Sequence, residues 1–330
     1  MDFPVILHIL SFQNDHLYRL VSKSLTKYNN NEKPEDAFTV KLPLSLIIRS
    51  GIFCEFQQVL LSRRFKVCNI AAKLGNITAL KWLRDQGCPW DESTCWIAAG
   101  NGHLKVLRWL RKQNCPWNQW TCVQAVRNNN FTMLQWARDQ GCPWDEITCS
   151  SAAYNGNLII LKWVRDRGCP WDSETCTSAA ANGHMDVLQW VHGQGCPWNS
   201  LTCSTAARKG HLEILQWARS HHCPWDKRTC SSAAFSGHLT ILQWARDNGC
   251  PWDQKTCAAA ALCGHMSVLQ WVRGQGCPWG EDTCFAAAKG GHLDILQWAR
   301  TQGCPWDIFA CSLAARSHPR VLQWITDESF

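Results

Sequence analysis

Apolar and polar positions along this chain recur as two helical stripes per block, and the block returns every 27 residues. In residues 88–114, Cys95, Ala98 and Ala99 form a narrow stripe of small residues at helical spacing. Leu104, Val106, Leu107, Trp109 and Leu110 then form a stripe too broad for a half-exposed helix. Gly102 separates the two stripes, and the second stops at Asn114, where most blocks carry Gly. Gly or Asn just past an apolar stripe marks a left-handed C-terminal residue. The pattern therefore predicts a short first helix, a tight turn, and a second helix buried on several sides. Asp91 stands before the first stripe. Its equivalents Asn118, Asp145, Asp172, Asn199, Asp226, Asp253, Gly280 and Asp307 are residue types favoured at a helix N-cap.

Three columns hold this register, the two of Cys without slipping. Cys-Pro-Trp begins at Cys88, Cys115, Cys142, Cys169, Cys196, Cys223, Cys250, Cys277 and Cys304. A second Cys column runs from Cys68 to Cys311, and a Trp column runs from Trp82 to Trp298, with Trp324 closing it one residue early. A helical pair this short cannot hide its apolar surface alone, so neighbours must stack and share a core. The fold class expected is all-α, an α-solenoid of about ten helix-turn-helix repeats. The register places the array at 68–324, with a tail at 325–330, a degenerate capping repeat at 37–67 and an N-terminal helical segment at 1–36.

Ala98-Ala99-Gly100-Asn101-Gly102-His103-Leu104-Lys105-Val106-Leu107, and still more Ala180-Ala181-Asn182-Gly183-His184-Met185-Asp186-Val187-Leu188, resemble the core of the ankyrin repeat. The resemblance extends over ten blocks, from about Cys68 to Trp324. Ankyrin units usually run to 33 residues and carry Thr-Pro-Leu-His, whereas these read Thr-Cys-x-x-Ala-Ala. Most of the missing residues fall between Gly87 and Thr94, so the projecting β-hairpin of ankyrins is expected to be absent. Short Cys-Pro-Trp units are similar to ankyrin-like proteins of large DNA viruses, algae and protists. Residues 3–25 are similar to a degenerate, shortened F-box without the usual Glu after Pro4. That resemblance would imply a Skp-type ubiquitin-ligase adaptor as partner.

Composition narrows the chemistry. The chain has 330 residues, 33 basic against 26 acidic, with no run of like charge that would mark a nucleic-acid arm. The N-terminal segment lacks the base, the uninterrupted apolar run and the cleavage site of a signal peptide, and no membrane span is expected. Cytoplasm or nucleus follows as the expected compartment, in a host cell if the chain is viral, with the 21 Cys reduced. Zinc would want four ligands at fitting geometry. The six His residues His103, His184, His211, His238, His265 and His292 give way to Asn at 76, 130 and 157 while the register continues, so no metal is expected. The column Arg84, Arg111, Arg138, Arg165, Arg219, Arg246, Arg273 and Arg300 is diluted by neighbouring Asp and reads as a solvated helix face. No phosphate loop, nucleophile elbow or carboxylate pair appears, so neither an enzyme nor a cofactor is expected.

Positions that vary from block to block are free of framework duty. They fall just after the cap, within the first helix, and before the Gly. The partner-contact candidates among them are Trp96, Trp120, Arg127, Tyr154, Arg208, Lys209, Lys227, Arg228, Phe235 and Phe285. Nineteen of the 21 Trp residues sit in the columns as packing, which leaves Trp96 and Trp120 for recognition. In ankyrin proteins the first helices and their preceding turns line the concave face. The resemblance thus implies a monomeric protein-binding scaffold that engages a protein partner along that face.

Overall fold

The computed structural model describes residues 64–328. The N-terminal helical segment, the F-box-like stretch and the capping repeat up to residue 63 lie outside the described residues. The chain forms two compact units, Met1–Trp144 and Asp145–Phe330.

The N-terminal unit holds α1 (Arg64–Lys73), α2 (Ile77–Asp85), α3 (Glu92–Gly100), α4 (Leu104–Lys112), α5 (Gln119–Arg127) and α6 (Phe131–Asp139). The C-terminal unit continues with α7 (Glu146–Tyr154), α8 (Leu158–Asp166), α9 (Ser173–Ala181), α10 (Met185–Gly193), α11 (Ser200–Lys209), α12 (Leu212–Ser220) and α13 (Lys227–Phe235). It ends with α14 (Leu239–Asp247), α15 (Gln254–Leu262), α16 (Met266–Gly274), α17 (Glu281–Gly290), α18 (Leu293–Thr301), α19 (Ile308–Ala314), a 3-10 turn at Ala315–Ser317 and α20 (Pro319–Asp327). In each unit every first helix packs on its own second helix and on the first helix of the adjoining repeat, as α3 on α5 and α13 on α15. The fold is an α-solenoid of helix-turn-helix repeats, as the periodicity requires.

Local chemistry explains each boundary. The Asp91 carboxylate accepts from the Ser93 N–H at 2.9 Å, and Asn118, Asp145, Asp172, Asn199, Asp226 and Asp253 cap their helices the same way. Gly280 has no side chain to do so. At the end of α3, Gly102 (φ 76) donates to Ala99 O and His103 donates to Ala98 O, the paired bonds of a Schellman motif. The second helix ends identically. Asn114 (φ 58) donates to Arg111 O and Cys115 to Leu110 O, so the Cys of each Cys-Pro-Trp is the residue just past a Schellman turn. Pro116 then prevents any continuation. Residues between Gln86 and Asp91 form neither helix nor strand, and no strand occurs among the described residues. The β-hairpin of longer repeats is thus replaced by the Cys-Pro-Trp turn.

The core is built from the two stripes. Cys95, Ala98, Ala99, Val106, Leu107 and Leu110 are buried, and so are their equivalents in the other repeats, apart from half-buried Ala314 and Leu322 in the last one. Two Ala per first helix let adjoining backbones approach closely, and the Leu of the second helix fills the space behind them.

Candidate functional site

Framework duty accounts for most of the polar and aromatic columns. Trp90 meets Trp109 edge to face at 5.9 Å, and the pairs Trp117–Trp136, Trp171–Trp190, Trp198–Trp217, Trp225–Trp244, Trp252–Trp271 and Trp279–Trp298 repeat that geometry. The Arg column is not a plain solvated face, which corrects the sequence reading. Arg84 lies 4.0 Å over the Trp90 ring and donates to Cys88 O at 2.6 Å. Arg138, Arg246 and Arg300 stack likewise on Trp144, Trp252 and Trp306. Each guanidinium thereby clamps the turn that follows its helix.

The thiols are free and, with the exception of half-exposed Cys263, buried among the described residues. They do more than fill space. Cys169 Sγ donates to Asp145 O at 3.3 Å and Cys196 Sγ to Asp172 O at 3.3 Å, tying each turn to the cap of the preceding repeat. Burial pushes the Cys68 thiol up to about 12 and the Cys311 thiol up to about 11. A hydrogen bond to Cys169 and then burial push Cys149 upward as well. Held protonated in this way, Cys68, Cys149 and Cys311 are poor nucleophiles. No cluster of three or more His, Cys, Asp or Glu that could hold a metal ion occurs among the described residues.

The His column is also structural. His103 Nε2 lies 3.0 Å from Lys73 O, His184 Nε2 3.1 Å from Tyr154 O and His265 Nε2 3.1 Å from Phe235 O. Where Asn replaces His, the side chain turns to its own helix: Asn76, Asn130 and Asn157 accept from Ala79, Met133 and Ile160 N–H. His318 belongs to this column too, contacting Lys289 O at 3.1 Å, although the sequence reading did not include it.

One face of the first helices is not taken up by these columns. Positions 93, 96, 97 and 100 of the 88–114 block are spaced i, i+3, i+4 and i+7 and so share a helix face. In the N-terminal unit Asn69, Ile70, Lys73, Trp96, Ile97 and Gln124, from these positions on α1, α3 and α5, line a groove of about 510 Å³. In the C-terminal unit the same positions on α11, α13, α15 and α17 line a groove of about 420 Å³.

Of the ten candidates, Trp96 lines the first groove, and Arg208, Phe235 and Phe285 line the second. Half-buried Trp120 has the guanidinium of exposed Arg127 5.6 Å from its ring centre. Tyr154 is 55% exposed. Arg228 and Lys227 are engaged locally, with Arg228 Nε 3.6 Å from Asp226 and Lys227 Nζ 2.9 Å from Asp253. Lys209 is exposed at the end of α11 and lines neither groove. Sequence reasoning missed Lys255, Leu262, Asp282 and Lys289 in the second groove. Their register was a usable signal, since they sit five or six repeats after Trp120 and Arg127 in the same columns. Among the described residues no helix is long and apolar enough to cross a membrane.

No protein-family model and no curated protein matches the sequence. Among solved structures, the crystal structure of the human ASB11 ankyrin repeat domain is similar to this chain with a TM-score of 0.42 and 13% identity, covering 54% of this chain and 96% of that one.

Proposed function

We propose that this chain is an ankyrin-like, non-catalytic scaffold that binds a partner protein along the first-helix face. One observation carries the reading. The repeated Cys, Trp and Arg columns are engaged in packing, while a first-helix face whose residues differ from repeat to repeat is open and forms a groove in each unit. Affinity comes from a few aromatic anchors, Trp96, Trp120, Tyr154 and Phe235, surrounded by polar contacts. The scaffold works as a monomer in the cytoplasm or nucleus, and in a host cell if the chain is viral. The test is affinity purification from cell lysate with the wild-type chain and with a variant carrying Ala at those four positions. Proteins retained by the first and lost by the second, with circular dichroism unchanged, support the reading; an identical retained set defeats it.

A second reading makes the chain a substrate receptor of a ubiquitin ligase. It rests on the F-box-like pattern of residues 3–25. A Skp-type adaptor should then co-purify with the full chain and be lost from a chain beginning at Lys41. Its absence from both would leave the scaffold alone.

A further inference from the structure

The two grooves share positions but not charge. Lys73 is the one charged residue lining the groove of the N-terminal unit. In the C-terminal unit Arg208, Lys255 and Lys289 face a single carboxylate, Asp282. The ion pairs among the described residues are Lys227 with Asp253 and Arg228 with Asp226, so none of these three cations has a carboxylate of the described chain within salt-bridge distance. The floor between them is small and apolar, with Ala258, Ala259 and Ala286. Two aromatic rings stand on this surface, half-buried Phe235 with the Arg208 guanidinium 4.8 Å from its centre, and Phe285, 37% exposed.

Resting on the scaffold reading, we propose that this groove takes an extended acidic segment of the partner protein. Its carboxylates lie against Arg208, Lys255 and Lys289, and one apolar side chain sits between Phe235 and Phe285. The groove crosses four consecutive first helices, which at ~8–10 Å between packed axes makes a path of about 24–30 Å. An extended chain covers that path with about seven to nine residues. The Ala floor admits a peptide backbone to close contact, and three separated cations call for spaced carboxylates rather than a dense polyanion. A nucleic-acid strand with a charge every ~3.4 Å would bring roughly eight phosphates to the same path, against three cations and a repelling Asp282.

The experiment pans a displayed random peptide library on the immobilised full-length chain, then measures the winning peptides by fluorescence anisotropy. Enriched sequences should carry an excess of Asp and Glu with an interspersed apolar residue. Replacing their acids by Gln should weaken binding about tenfold or more, since three exposed ion pairs each worth roughly two- to fivefold are lost. The triple variant Arg208→Ala, Lys255→Ala, Lys289→Ala should weaken it equally, with circular dichroism unchanged, while Lys73→Ala leaves it unaltered. Winners without acidic excess, or indifferent to the triple variant, overturn the acidic-segment assignment and leave the scaffold reading standing. Displacement of the peptide by a single-stranded oligonucleotide at comparable concentration overturns it as well, because the groove would then be a general polyanion patch. Absence of any enriched peptide counts against both.

Discussion

The imidazole of His265 lies against Gly237 of the preceding repeat, so closely that a Cβ on that glycine would stand 2.7 Å from the ring. Gly237 also has φ 75, in the left-handed region. The glycine is therefore required twice, for its conformation and for the space above it. Gly249, with φ 79 and nothing within 4 Å of its would-be Cβ, is required only for conformation. Gly249→Ala should cost ~1–2 kcal/mol, and Gly237→Ala about 1–3 kcal/mol more from overpacking. Urea unfolding of the two variants checks the difference; equal costs would show that the ring yields freely.

At the N-cap of each second helix a side chain reaches either back to the preceding repeat, as His265 does, or onto its own helix, as Asn157 does at 2.9 Å from the Ile160 N–H. His265→Asn should accordingly cost less than His265→Ala, because Asn exchanges the lost contact for a cap worth ~1 kcal/mol. Chemical denaturation that ranks Ala at or above Asn would remove the capping argument.

His192 stands where the neighbouring repeats carry Arg165 and Arg219, stacked on Trp198 at 3.9 Å and 5.8 Å from the His221 ring. Burial, and then the charge of His221, lower its proton affinity from the ordinary value of 6.5. The folded chain thus binds fewer protons than the unfolded chain just below that pH, and protonation favours unfolding. Stability from this site is complete above about pH 6.5 and declines as the pH falls below it. His192→Arg restores the stacked guanidinium and abolishes this component. Melting curves between pH 7.5 and 5.5 should show a smaller loss for the variant, and parallel losses would exclude the site as the origin.

His222 adopts φ 64 at the position where most repeats use Gly after the second helix. A non-glycine residue there carries a left-handed penalty of roughly 1 kcal/mol. His222→Gly should raise stability by about that amount in urea titrations, despite the greater freedom of the unfolded chain. A loss of stability would mean that the imidazole contributes contacts worth more than the strain.

Among the described thiols only Cys263 is not buried. Burial raises the Cys263 thiol too, so access decides, and alkylation under native conditions followed by peptide mapping should modify it well before buried Cys68 or Cys149. Melts with and without chelator or reductant should superimpose. A fold that collapsed on chelation would turn the Cys and His columns into a ligand set.

The repeat, its boundaries and its core were legible in the chain itself. Caps such as Asp91, terminators such as Gly102, and the stripe Cys95, Ala98 and Ala99 all act over one or two helical turns, so residue type and spacing suffice to determine them. Stacking also followed, because a 27-residue pair cannot bury its own apolar surface. Other features depend on contacts between repeats and could not be read along the chain. His184 reaches back 30 residues to Tyr154 O, and Arg84 clamps a ring in the next repeat. Variable positions were visible, but which of them share a surface was not. Lys227, adjacent to the open face in sequence, is held by Asp253 from the next repeat, whereas Lys255 and Lys289, which share columns with Trp120 and Arg127, join Arg208 around one groove. Local spacing sets the face of a helix, but charge and shape across four helices are set only when the stack places their side chains within a few ångströms of one another.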